Sequence, residues 1–205
     1  MPLGAPIELL RRWDYRWGTA SVAQSVAMFW GNALLEILHA PASEPRNITM
    51  MHLAPRTTPD EKLLALQIAM DRLRSSFGRW DVPWGEINRF QRISGAIDHP
   101  FDDDAPSVPV PFADGNYGSL AGYRSGPQDG SKRWYQIHGN TFVAVVEFGP
   151  RVRAKAVREG GQSGDPRSPH FNDEALRYAS GALRDAYFYP DQLKGHTERV
   201  YRPGE

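Results

Sequence analysis

Arg133-Trp134-Tyr135-Gln136-Ile137-His138-Gly139-Asn140-Thr141-Phe142-Val143-Ala144-Val145-Val146-Glu147-Phe148-Gly149-Pro150 is the stretch on which the fold turns. Two runs rich in aromatic and β-branched residues flank Gly139-Asn140, a dipeptide that tolerates the positive backbone angles of a two-residue turn. The spacing predicts a hairpin of strands over 133–138 and 141–148, so that Gly139→Val would destabilise the fold by about a kilocalorie or more through turn strain. After the Gly149-Pro150 turn, Val152, Ala154 and Ala156 alternate with Arg151, Arg153 and Lys155. That alternation describes a strand with one buried and one wet face.

Working outward toward the N-terminus, the period changes from two to three and four. Ile7, Leu10 and Trp13 or Asp14 read as part of a helix over 7–16. Val22, Val26, Phe29 or Trp30, Ala33, Leu34 and Ile37 form the apolar stripe of a second helix from Ser21 to Leu38, with Thr19 or Ser21 as its cap. Pro41 and the polar residues to Arg46 end it. Thr58-Pro59-Asp60-Glu61 then supplies an N-cap, a proline at the first helical position and a glutamate to close a capping box. Leu63, Leu64, Gln67, Met70, Leu73 and Phe77 continue this helix until Gly78 stops it.

Beyond Trp80 the β signals begin, with a strand expected between Trp84 and Ser94. Residues 98–130, rich in Pro, Gly and Asp, read as a long loop region. A short helix near Asp173 to Ser180 closes the pattern. The order is α+β: helices first, then a meander of antiparallel strands. One region over 1–205 is expected, mainly helical over 1–78 and mainly strands and loops over 79–205.

The chain has 205 residues, enough for a substantial core, and its 24 basic and 24 acidic residues balance. A balanced chain carries no electrostatic footprint for nucleic acid or an anionic membrane. No apolar run approaches the roughly 18 residues of a membrane helix. With no cysteine, disulfides, thiolate catalysis and cysteine-bound metals are excluded. Met1-Pro2-Leu3-Gly4 is not the basic-then-apolar start of a signal peptide, so export by this chain itself is not expected.

Three blocks carry a family resemblance. The first is Leu9-Leu10-Arg11-Arg12-Trp13-Asp14 with Ser21-Val22-Ala23 and Phe29-Trp30-Gly31. The second is Trp84-Gly85-Glu86-Ile87-Asn88-Arg89-Phe90. The third runs from Gly139-Asn140-Thr141-Phe142-Val143-Ala144-Val145-Val146-Glu147-Phe148 through Gly160-Gly161-Gln162-Ser163-Gly164-Asp165-Pro166-Arg167-Ser168-Pro169-His170-Phe171-Asn172-Asp173 to Tyr201-Arg202-Pro203-Gly204-Glu205. In this order they resemble the C-terminal portion of the penicillin acylase family, amide hydrolases with an N-terminal nucleophile. In appearance they come nearest to the branch of acyl-homoserine-lactone and aculeacin acylases.

The resemblance implies the C-terminal part of an αββα sandwich and a precursor that cleaves itself to expose a serine. That serine's α-amino group takes the hydroxyl proton, the serine attacks an amide carbonyl, and backbone and asparagine donors hold the oxyanion. It also implies an N-acyl small-molecule substrate, the upstream part of the same precursor as partner, a periplasmic location when exported with that part, and a structural calcium in the full-length fold. No Ser-Asn-Asn start occurs here: Gly118-Ser119-Leu120, Asp129-Gly130-Ser131 and Gln162-Ser163-Gly164 all lack the asparagines. No catalytic, cofactor-binding or metal residue is therefore carried over. The chain is expected to be inactive alone, to self-associate and to bind its upstream part through Val143 and Val145 or through Phe142, Ala144 and Val146. A non-catalytic acyl- or glycan-binding module is the alternative, and an upstream frame encoding Gly-Ser-Asn-Asn would decide between them.

Other chemistry-bearing residues have plainer explanations. Asp102-Asp103-Asp104 has oxygen ligands for calcium but lacks the alternating spacing and mid-loop glycine of an EF-hand, which favours a solvated loop. His170 with Asp173 suggests a metal or acid/base pair, yet Asp173 or Asn172 capping the following helix is simpler. His52, His99, His138 and His196 have no ligand spacing, Ser168 beside His170 is no triad, and Gly160-Gly161 with Gly164 lacks the lysine of a phosphate loop. Trp80, Trp84, Trp134, Tyr117, Tyr123 and Tyr135 would form a sugar- or acyl-binding platform or, more simply, pack the core.

Overall fold

The computed structural model describes residues 2–39, 41, 43–197, 199–202 and 204, so Pro203 and Glu205 of the terminal block lie outside the described residues. The chain divides into two units, Met1–Asn140 and Thr141–Glu205.

In the first unit, helix α1 (Gly4–Arg11) stops short of the expected end. Tyr15, at φ 62°, turns the chain into left-handed backbone, and the Trp13 ring meets Tyr15 and Trp17 at centroid distances of 5.4 and 6.0 Å. Helix α2 (Val22–Leu38) is capped by Ser21, whose Oγ accepts from the Gln24 amide at 3.1 Å. Two short helices that the sequence did not announce follow, α3 (Arg46–Met51) and α4 (Leu53–Arg56). The residues at their N-caps, Pro45 and His52, make no side-chain capping bond, so the usual start signal is missing.

Helix α5 (Pro59–Phe77) has the expected ends. The Glu61 amide donates to Thr58 Oγ1 at 3.3 Å, the Thr58 amide donates to Glu61 Oε2 at 2.7 Å, and Gly78 terminates at φ 77°. Its buried stripe differs from the expected one: Ala65, Leu66, Ala69, Met70 and Leu73 face the core, whereas Leu63 and Leu64 are exposed. The stripe meets Val26, Met28 and Phe29 of α2. Each such aliphatic or aromatic side chain removed from water contributes about 1.5–3 kcal/mol.

A single turn, α6 (Trp84–Ile87), leads into β1 (Asn88–Phe90), and β2 (Val108–Pro109), β3 (Tyr123–Pro127) and β4 (Trp134–Gly139) complete a four-stranded sheet. Its order is β2-β1-β4-β3, with β1 and β4 parallel and the other pairs antiparallel. The expected meander is thus corrected, because β4 pairs with a strand 46 residues earlier as well as with β3. Buried Asn88 explains the centre of this sheet: its Nδ2 donates to the carbonyls of Val110 (2.8 Å) and Phe112 (3.0 Å), and its Oδ1 accepts from Ser125 Oγ at 2.5 Å. A buried amide with its hydrogen bonds met fixes which segments lie side by side. β2, β3 and a 3₁₀ turn at Gly115–Tyr117 give regular structure to the stretch expected as loop.

The second unit contains β5 (Phe142–Glu147), β6 (Arg153–Arg158), α7 (Ala175–Ser180), β7 (Arg184–Asp185) and a 3₁₀ turn at Pro190–Leu193. Its antiparallel sheet has the order β5-β6-β7. This overturns the hairpin expected at Gly139-Asn140, since β4 and β5 belong to different sheets. Neither Gly139 nor Asn140 takes a positive φ. Asn140 instead pairs with Gly122, donating its amide to the Gly122 carbonyl at 2.9 Å and accepting the Gly122 amide on Oδ1 at 2.6 Å. The hairpin forms one strand later, with Phe142 opposite Arg158 and Glu147 opposite Arg153. Ala156 is buried while Arg153 and Lys155 are exposed, as the alternation predicts.

The stretch from Gly160 to Asp173 is a closed loop that returns to its start: the Glu174 amide donates to the Gly160 carbonyl at 2.9 Å and the Ser163 amide to the His170 carbonyl at 3.1 Å. Glu174 then ties the unit together. Its Oε2 accepts the Arg158 amide at 2.8 Å, and its Oε1 pairs with Arg184 Nε.

Candidate functional site

A cavity of about 690 Å³ opens in the first unit between α2 and the β3–β4 pair. Such a volume is in the range of small-molecule sites. One end is aromatic. Phe29 of α2 and Trp134 of β4 stack with centroids 4.7 Å apart, and Trp84 meets Trp134 edge-on at 5.8 Å. Trp84 is held by its Nε1, which donates to the Phe112 carbonyl at 3.1 Å.

The other end is charged. Arg46, at the start of α3, and Arg124 of β3 both face Asp114, with each Nε 3.9 and 3.8 Å from Asp114 Oδ2. These distances give ion pairing without hydrogen bonds. Asp114 Oδ1 accepts the Asn116 amide at 3.0 Å and so caps the turn that presents Tyr117. Asn32 Oδ1 accepts from both Tyr117 Oη (3.0 Å) and Arg46 Nη2 (3.1 Å). Burial pushes the Tyr117 phenol well above its ordinary range, against the opposing Arg46 charge and with the Asp114 charge, so it is a neutral donor. Arg46 Nε is buried and has no hydrogen-bond partner among the described residues. Arg72 and Lys132 also line the cavity; Arg72 is engaged by Glu36 through bonds of 2.8 and 2.6 Å. The guanidinium end carries more positive than negative charge.

Gly31 permits this packing. A Cβ there would lie 2.7 Å from Tyr117 Oη and 2.8 Å from its Cε1, so the tyrosine occupies the space a side chain at 31 would need.

The sequence-named residues divide between core and cavity. Trp84, Tyr123 and Tyr135 are buried core residues, while Trp134 and Tyr117 are partly exposed cavity walls. Trp80 packs against the helical core. Three serines hold turns: Ser119 Oγ donates to the Ala121 carbonyl (2.7 Å), Ser131 Oγ to the Arg133 carbonyl (2.9 Å), and Ser168 Oγ accepts the His170 amide (3.1 Å).

In the aspartate triplet the carboxylates of Asp102 and Asp103 are engaged in hydrogen bonds of the fold. Asp103 Oδ2 accepts the Lys132 amide at 2.7 Å, Asp103 Oδ1 accepts Tyr135 Oη at 2.9 Å, and Asp102 Oδ1 accepts the Asp104 amide at 2.8 Å. Among the described residues no three His, Asp or Glu side chains gather as metal ligands. Asp173 does not cap α7 as expected. Glu174 is the N-cap residue, without a side-chain cap, and Asp173 Oδ2 lies 2.8 Å from His170 Nδ1 in an exposed pair. The loop geometry is the reason: Asp173 is still packed under Gly161 when the helix starts. Arg46, Asp114 and Arg124 were not singled out in the sequence, since 68 and 10 residues separate them and no motif joins them.

No described helix is long and apolar enough to cross a membrane. Comparison with known families matches the family model described as penicillin amidase over residues 2–195, which takes in most of both units.

Proposed function

We propose, since this chain belongs to the penicillin amidase family, that it serves an amide hydrolase as scaffold and pocket wall. Family membership makes it a hydrolase of the amidase kind. In our reading the nucleophilic serine lies outside these 205 residues, as the first residue of a self-cleaved precursor's large subunit. Its α-amino group takes the proton of the serine hydroxyl while Oγ bonds to the amide carbonyl carbon. The proton passes to the leaving nitrogen as the C–N bond breaks, and water then releases the acid from the acyl-serine. The turn-bound serines 119, 131 and 168 fit a scaffold role, and the cavity of the first unit offers a place for one group of the substrate. Long-chain N-acyl compounds such as acyl-homoserine lactones are the substrates to try first, and the periplasm is the compartment this assignment favours.

The match over residues 2–195 carries this reading. Its test is co-expression with the upstream part of the precursor. Acid release from an N-acyl-homoserine lactone is expected from the pair and not from this chain alone. Stoichiometric acid release by the chain alone, with an acyl adduct visible by mass spectrometry, would overturn it.

A further inference from the structure

We infer that Asp129, in the turn between β3 and β4, is a site of spontaneous covalent modification: its side-chain carboxyl closes on the following backbone nitrogen, and the chain there becomes an isoaspartyl linkage. The inference concerns the chemistry of this turn and is independent of the chain's place in an amide hydrolase.

The sequence contains two Asp-Gly pairs, Asp114-Gly115 and Asp129-Gly130, and the fold treats them differently. In such a pair the glycine nitrogen has no neighbouring Cβ to shield it. It bonds to the aspartate Cγ as water leaves, which closes a five-membered imide. Water then opens the ring. Where it breaks the bond between that nitrogen and the α-carbonyl, the main chain runs on through Cβ and Cγ and the α-carboxylate hangs free. No electron is gained or lost, and water is the only other reactant.

Ring closure needs the side chain to swing toward the next peptide and that peptide to rotate. At Asp114 the side chain is held: Oδ1 accepts the Asn116 amide at 3.0 Å, Oδ2 lies 3.9 and 3.8 Å from Arg46 and Arg124 Nε, and only 13% of the side chain is exposed. Asp129 is exposed, and its carboxylate has no hydrogen bond or ion pair among the described residues. Gly130 follows at φ 81°, the angle of the third residue of a type II turn, with nothing within 4 Å of where a Cβ would lie. The bonds that close the turn lie on either side of the pair: the Ser131 amide donates to the Gln128 carbonyl at 2.9 Å, and the Gln128 amide donates to Ser131 Oγ at 2.9 Å. The peptide between Asp129 and Gly130 is therefore the one that rotates most easily. An isoaspartyl linkage puts an extra main-chain atom inside this closed turn. Ser131 and Lys132, which follow it, line the cavity of the first unit, so the modification loosens one lip of that cavity.

The test uses the full chain, aged at neutral pH and body temperature, with isoaspartate counted by enzymatic methylation of its α-carboxylate and located by peptide mapping. Asp129 should convert about tenfold or more faster than Asp114, the factor expected when a hydrogen bond to a carboxylate must break before one of two like sites reacts. In the chain unfolded in guanidinium the two sites should convert at similar rates, because the contrast comes from the fold. Asp129→Glu, whose side chain would have to close a less favourable six-membered ring, should abolish the label at this position. Asp129→Asn should speed it, since ammonia then leaves in place of water. Hydrogen exchange at the Ser131 amide should be faster in the labelled protein than in fresh protein. Equal conversion of Asp114 and Asp129 in the folded chain, no conversion at Asp129, or a label at 129 that survives Asp129→Glu would each overturn the inference. Unchanged exchange at Ser131 in labelled protein would overturn its effect on the cavity lip.

Discussion

Phe29 lies flat against Trp134, ring centroids 4.7 Å apart and planes within 24°, so α2 and β4 meet through two aromatic faces. Phe29 is almost fully buried and belongs to the main core cluster. Its removal leaves a cavity as well as a lost stack. Phe29→Ala should cost about 3–5 kcal/mol in urea-induced unfolding, with a red shift of tryptophan emission before the transition. A loss under about 1 kcal/mol would mean that the stack is not part of the cooperative core.

Gly161 predicts a local failure. A methyl there would sit 2.1 Å from the His170 carbonyl oxygen and 2.7 Å from Asp173 Oδ1, so the loop must open to admit it. Gly161→Ala should cost about 1–3 kcal/mol or more, as overpacking does, and speed hydrogen exchange at the amides of Ser163 and Glu174. Gly164→Ala is the control, because nothing lies within 4 Å of a Cβ at that position. Equal behaviour of the two variants would refute the packing argument.

Tyr135 predicts a loss of stability in alkali. Burial, reinforced by the hydrogen bond to Asp103 and its charge, pushes the Tyr135 phenol up to about 12 from 10.0. A folded pKa above the unfolded one means the native state holds a proton that the unfolded chain releases. The contribution is whole below about pH 10 and is lost as pH rises toward 12. The unfolding free energy should decline across that window less steeply in Tyr135→Phe than in the parent chain. Parallel curves would show that this phenol does not contribute.

β5 is an edge strand whose Phe142, Val145 and Val146 are exposed. An apolar strand with an unpaired edge invites another strand. Sedimentation velocity of the purified chain should show self-association that Val145→Lys reduces, with the melting temperature nearly unchanged. A parent chain that stays monomeric at high concentration would remove this role from β5.

What the sequence allowed to be read was what local chemistry dictates. Thr58, Pro59, Glu61 and Gly78 mark the ends of α5 because capping involves residues three or four apart, and Ser21 marks α2 for the same reason. The identity of the buried stripe on α5 was less legible. Leu63 and Leu64 are as apolar as Leu66, and only the position of α2 decides which of them is covered. Gly139-Asn140 misled for a different reason. A glycine before an asparagine suits a tight turn, but it equally suits a close approach of two backbones, and a Cβ at Gly139 would lie 2.6 Å from the Gly122 carbonyl. Strand partners are non-local, so the parallel β1–β4 pair left no trace in the alternation. The aromatic end of the cavity was visible as a set of conspicuous residues. The arginine end was not, because Arg46 and Arg124 are two among many surface-type cations until the fold brings them to one aspartate.

The contact between Gly31 and Tyr117 makes the history of this cavity directional. The tyrosine fills the volume where a side chain at 31 would begin, 2.7 Å from the would-be Cβ. A substitution at 31 arriving first meets a clash, whereas Tyr117→Ser arriving first opens the site and makes alanine at 31 acceptable. The two positions are therefore epistatic: alanine at 31 displaces the Tyr117 ring end when it arrives first and costs less when Tyr117→Ser precedes it. A library that varies residue 31 alone should favour glycine; one that varies both together should accept more residues at 31.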